Sequence, residues 1–172
     1  YVLSARRTPA MALLNNKNII TDAMEICPSG LSLAHDIAVR ITGAGGAALI
    51  ADFASDSQNF SLQAVTGHSY HDPLVAPGTA DLACAVDFEA LSEVARMTGA
   101  LVHGPQAQGV FLESLGIGTR AARLADGADA DTLRTIQSAR TRLTAPSLMG
   151  ELFQVMAITS GRLDSVAGLV AK

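Results

Sequence analysis

The stretch Ala47-Ala48-Leu49-Ile50-Ala51-Asp52-Phe53 does most to restrict what this chain can fold into. Apolar residues follow one another without alternation, as in a central parallel strand covered on both faces. The run ends on an acid beside a loop. Before it, Ser29 to Ile41 places Leu33, Ile37, Ala38 and Ile41 on one helical face, with Ser29 or Ser32 available as a cap and Gly43 closing the helix. Helix, glycine turn, buried strand and terminal Asp52 together predict an αβ unit of an open, mostly parallel sheet. Ligands of such sheets bind beyond the carboxyl ends of the strands.

Other elements follow from pattern. Met24 to Pro28 reads as a short strand stopped by proline. Leu62 to Val65 and Tyr70 are candidate hairpin arms within the irregular interval 54–82. Asp87 has the position of a helix N-cap, with Phe88, Leu91, Val94 and Ala95 facing inward. Leu101 to His103 reads as a strand, 109–115, 119–124 and 131–143 as helices, and Leu152 to Ile158 as a last strand. Residues 161–172 look like a loosely held tail after a unit spanning 1–160.

Charge is unevenly placed. No Lys or Arg occurs between Arg40 and Arg96, an interval that holds Asp52, Asp56, Asp72, Asp81, Asp87, Glu89, Glu93, His68 and His71. Positive charge returns at Arg120, Arg123, Arg134, Arg140 and Arg142. Patterning alone leaves two readings: an acidic loop face opposite a basic helix face, or an acidic mouth for a cationic ligand. With 12 basic and 16 acidic residues the net charge is −4, which argues against general nucleic-acid binding. No run approaches the ~18 apolar residues of a membrane span.

Familiar chemistries find little support. Gly43 to Gly46 follows a helix and precedes a strand, the wrong polarity for a cofactor loop, and Gly116-Ile117-Gly118 lies between helices. His68, His71 and Asp72 suit a polar loop better than a metal centre, which needs ligands from elsewhere. Cys27 and Cys84 form no disulfide framework, and Cys84 reads as a small buried side chain.

One ordered set of motifs carries a resemblance. It comprises Ala47 to Phe53, His71-Asp72-Pro73-Leu74, Pro77-Gly78-Thr79-Ala80-Asp81-Leu82, Val86-Asp87-Phe88, Gly104 to Leu112 with Leu115-Gly116-Ile117, and Met149-Gly150-Glu151-Leu152-Phe153. Together they resemble the carboxy-terminal half of the MidA-type family of S-adenosylmethionine-dependent methyltransferases. Mitochondrial members of that family are arginine methyltransferases acting in respiratory complex I assembly. Where the family tends to have Asp-Tyr-Gly-His, this chain has Asp52-Phe53-Ala54-Ser55.

The resemblance implies an α/β protein, the second half of a class I (Rossmann-like) methyltransferase fold, mostly parallel with an antiparallel edge strand. It implies S-adenosylmethionine as cofactor, bound mainly by an amino-terminal half or companion chain carrying the cofactor loop. It also implies a protein substrate with a target arginine, such as a complex I subunit, and a place in the mitochondrial matrix. In that frame Asp52 is the catalytic candidate, and Asp72, Asp81, Asp87 and His71 are the substrate-binding candidates. Carboxylates suit a guanidinium because they accept paired, charge-assisted hydrogen bonds from it. No residue is assigned to cofactor or metal. The alternative is a non-catalytic subunit of a larger mitochondrial assembly.

Overall fold

The computed structural model describes residues 25–54 and 61–170, together with Arg6 and Pro9. Readings that fall on Met24, Ser55 and Asp56 lie outside the described residues. The first helix, α1, runs Pro28–Ala44. Pro28 therefore starts a helix where it was expected to stop a strand, and Glu25 to Cys27 form no strand. At the first helical position a missing N–H removes no intrahelical bond. Neither Ser29 nor Ser32 caps the helix; Cys27 holds that place with no side-chain bond. The helix closes at Gly45, two residues beyond the expected Gly43, with φ +82° and its N–H on the Ile41 carbonyl at 2.9 Å.

β1 (Ala47–Phe53) appears as expected, but its setting differs. The main sheet has the order β1–β6–β5, with β5 at Leu101–Ala107 and β6 at Phe153–Thr159. β6 runs antiparallel to both neighbours, from Ala47 opposite Thr159 to Phe53 opposite Phe153 on one side. Within the described sheet every pair is thus antiparallel, against the expected mostly parallel arrangement. β1 and β5 point the same way, but β6 lies between them. An apolar run reports burial, whereas the direction of its partner depends on where the chain later returns.

β1 is accordingly an edge strand among the described residues, and Leu49 is 59% exposed. The fully covered strand is β6, buried from Val155 through Thr159. Met156 and Ile158 pack under Ala38 and Ile41 of α1 and under Phe88 and Ala95 of α2 (Phe88–Met97). Val155 and Ala157 face the other way, against Phe111 and Leu169. Burying a side chain of the size of Met156 or Ile158 contributes about 1.5–3 kcal/mol.

A bulge between His103 and Gln106 bends β5. Gly104 sits there at φ +81°, where a Cβ would meet the Val155 carbonyl oxygen at 2.7 Å, so only glycine fits. Three helices follow: α3 (Gln108–Ser114), α4 (Ile117–Ala125) and α5 (Ala130–Thr144). Leu133, Ile136 and Leu143 are half-buried on the inner side of α5. Arg140 of α5 pairs with Glu113 of α3 at 2.9 Å.

The segment set apart as a loosely held tail is fastened as far as Val170. Gly104 donates its N–H to the Val170 carbonyl at 3.1 Å, and the Gln106 amide donates to the Gly168 carbonyl at 2.7 Å. Leu169 is buried in the second core. A one-sided apolar residue in a short stretch gives no periodic signal, so its docking was invisible in the pattern.

A second sheet lies in the interval 61–83. Strands β2 (Gln63–Thr66), β3 (Ser69–His71) and β4 (Asp81–Ala83) pair antiparallel in the order β3–β2–β4. Gly67 and His68 turn the hairpin with φ of +54° and +62°, matching a two-residue turn with both central residues left-handed. The expected hairpin arms are present.

Candidate functional site at the carboxyl end of the first strand

Several segments converge where β1 ends. Val86 N–H bonds the Phe53 carbonyl at 3.0 Å, and Ala54 pairs with Val86 in a parallel bridge. This draws the start of α2 beside Asp52. The start of α1 arrives through Glu25. Its carboxylate accepts hydrogen bonds from the Ser61 N–H (3.1 Å), the Ser61 hydroxyl and the Leu62 N–H (2.8 Å). Ser61 Oγ accepts in turn from the Ala85 N–H at 2.8 Å.

Cys84 records the electrostatics of this place. Partial burial raises its thiol pKa first, and the negative charges of Glu25, Cys27 and Asp52 raise it further. Those four side chains therefore share one neighbourhood. Cys84 was expected to be buried, but it is largely exposed, because it lies in the link from β4 to α2 and not in a packed strand. Glu25 and the cysteines were not read as site residues. For Glu25 and Cys27 the only sequence signal was an acid and a thiol just before a helix-starting proline.

The candidate residues divide. Asp52 is exposed, stands opposite Gln154 and accepts its neighbour Phe53's N–H at 2.8 Å. Asp87 is the N-cap of α2, as its position suggested, accepting the Ala90 N–H at 2.9 Å. Asp72 closes a local turn through the Leu74 N–H at 2.8 Å. His71 Nε2 lies 3.1 Å from the Val75 carbonyl. In the small sheet His71 shares a row with Ala64 and Leu82, whereas Asp81 shares the next row with Val65 and Tyr70. Adjacent rows point to opposite faces, so His71 and Asp81 do not converge on one ligand atom.

Glu151 lies just before β6, across the sheet from the end of β1, and is exposed. Among the described residues no group of three His, Cys, Asp or Glu side chains could hold a metal ion. No strand among them enters a helix through clustered glycines either: β5 runs directly into α3, whose Gly109 is pressed against the Thr144 carbonyl. The cradle of a nucleoside cofactor is therefore not formed by the described residues. What this end of the sheet offers is a set of carboxylates in a stretch without a cation. No described helix is long and apolar enough to cross a membrane.

Known proteins give this geometry a family. Residues 3–106 match the model of a family described as S-adenosyl-L-methionine-dependent methyltransferases. The mouse protein named "Protein arginine methyltransferase NDUFAF7, mitochondrial" is 36% identical over 160 residues, covering 92% of this chain and 36% of that protein. The human protein of the same name is 34% identical over the same span. The chain thus spans about a third of the length of these curated relatives. Among solved structures, a Burkholderia thailandensis protein bound to S-adenosyl-homocysteine superposes with a TM-score of 0.81 at 26% identity, covering 94% of this chain and 44% of that one. Another B. thailandensis crystal structure gives 0.80 at 27% identity, covering 91% and 44%. With the model matched over more than half its length, the chain belongs to this family of S-adenosyl-L-methionine-dependent methyltransferases.

Proposed function

We propose that the whole protein is a mitochondrial protein arginine methyltransferase acting in respiratory complex I assembly, and that the described residues form its substrate-facing half. The names of the mouse and human relatives support the reaction and the compartment. The observation that carries the reading is the convergence of Asp52 and the starts of α1 and α2 at the carboxyl end of β1, where β1 and the start of α2 belong to an interval without Lys or Arg. S-adenosylmethionine supplies the electrophilic methyl group when bound.

Asp52 is the catalytic candidate. One carboxylate oxygen is held by the Phe53 N–H, which fixes the group, and its other oxygen, without a partner among the described residues, would accept a guanidinium N–H. A carboxylate so placed orients the guanidinium and draws its positive charge toward one edge, away from the attacking nitrogen. Asp72, Asp81, Asp87 and His71 serve the approach of the substrate, with Asp87 also capping α2. The open edge of β1 receives a parallel strand from the cofactor-binding half or a companion chain. That strand would extend the described antiparallel sheet into the mostly parallel class I arrangement.

The test is methyl transfer from radiolabelled S-adenosylmethionine to mitochondrial protein by the full-length protein, with Asp52→Asn beside it. The expected result is transfer reduced at least tenfold in the variant with an unchanged melting temperature. Equal loss of stability and transfer makes Asp52 structural. Absence of transfer, with no thermal shift on adding the methyl donor, favours a non-catalytic assembly subunit instead.

A further inference from the structure

Of the outer face of the small sheet β3–β2–β4, the chemistry above uses Asp81 alone. The register sets Tyr70, Val65 and Asp81 side by side on that face, spanning about 10 Å at the usual strand spacing. Tyr70 is 83% exposed, so its ring is bare to solvent. Asp72, Asp87 and Asp52 each accept a backbone N–H. The Asp81 side chain alone of the four makes no hydrogen bond or ion pair among the described residues, although its strand pairs with β2. Among the described residues β4 pairs only with β2, which leaves its outer edge without a strand there.

We propose that this face docks an extended, arginine- or lysine-rich segment of the protein substrate, laid along the β4 edge with one cation paired with Asp81 and a second long cationic side chain reaching across Val65 to stack on Tyr70. This rests on the substrate reading above, and it concerns sequence flanking the target arginine. Strand addition supplies main-chain hydrogen bonds, and alternate side chains supply specificity. A carboxylate pairs with a cation, and a guanidinium stacks on an aromatic ring. Charge favours such a segment over a second copy of this chain. No Lys or Arg lies between Arg40 and Arg96, and pairing two β4 edges would bring Asp81 toward its own equivalent.

Fluorescence anisotropy of the full-length protein with a ten-residue Gly/Arg peptide, and with a Gly/Glu peptide of the same length, tests the surface. The Gly/Arg peptide should bind and weaken severalfold as salt rises. Tyr70→Ala and Asp81→Asn should each raise its Kd about fivefold or more, while Tyr70→Phe keeps most of the affinity and melting temperatures stay unchanged. Equal Kd values for the unaltered protein and both variants overturn the proposal. So does equal binding of the Gly/Glu peptide, or a concentration-dependent dimer that excludes the Gly/Arg peptide. Binding is measured without methyl donor, so a failure of transfer leaves this result standing. Normal transfer with unchanged Kd removes the docking surface alone.

Discussion

Ser61 donates its backbone N–H and its hydroxyl to one oxygen of the Glu25 carboxylate, across 36 residues of chain. The same hydroxyl oxygen accepts the Ala85 N–H, so one side chain fastens the entry of α1, the start of the small sheet and the link to α2. Ser61→Ala removes the donor to Glu25 and leaves the Ala85 N–H without its acceptor. The expected cost is about 1–3 kcal/mol, measured by denaturant unfolding. Glu25→Gln should cost a similar amount, because an amide NH2 placed against these donors repels them. A neutral result for both would show that the junction does not hold these segments together.

How much of this was legible follows from which signals are local. The hairpin arms, the Asp87 cap and the helix at 131–143 came from residues within a few positions of one another, where periodicity and capping act. The antiparallel setting of β1 depends on β6, a hundred residues on, and nothing within Ala47 to Phe53 encodes it. The Glu25–Ser61 junction was hidden for the same reason. The candidate carboxylates were found by a gap in positive charge, which survives any folding. Their separation by the sheet register, with His71 and Asp81 on opposite faces, required the pairing of strands.

Cys84 should behave as a reluctant thiol. Its pKa is raised chiefly by burial and then by Glu25, Cys27 and Asp52, and the thiolate is the nucleophile. Alkylation by iodoacetamide, followed residue by residue with mass spectrometry, should reach half its maximal rate at a pH above the usual thiol range. Asp52→Asn removes one of the opposing charges and should speed alkylation of Cys84 at pH 8. An ordinary profile that ignores Asp52 would dissolve the grouping at the end of β1.

Asp129 caps α5 by accepting the Thr132 N–H at 2.7 Å, and this bond holds its carboxyl pKa below the ordinary value. A carboxylate with a lowered folded pKa contributes stability that is present above its unfolded pKa, about 3.9. That contribution is lost as pH falls through the lower folded value. The Thr132 amide resonance should therefore move with an acid midpoint below the usual carboxylate range. In Asp129→Asn, which still caps but does not titrate, the movement should vanish. A midpoint at the ordinary value would mean the cap bond does not form in solution.

His103, buried at 1% exposure, ends a directional chain of hydrogen bonds. The Thr159 hydroxyl donates to the Leu163 carbonyl at 2.8 Å, so its oxygen accepts from His103 Nε2–H at 3.0 Å. This sets the neutral ring as the Nε2–H tautomer, with Nδ1 buried and unpartnered among the described residues. Nitrogen-15 spectra should show one protonated ring nitrogen, Nε2, and an Nδ1 shift typical of a bare lone pair. Thr159→Val leaves the buried His103 N–H without its acceptor, and should cost about 1–3 kcal/mol. Adding His103→Phe to that variant should cost less than the two single losses combined, since the second substitution removes a donor already without a partner. Strict additivity, or an Nδ1–H tautomer, would show that Thr159 does not orient the ring.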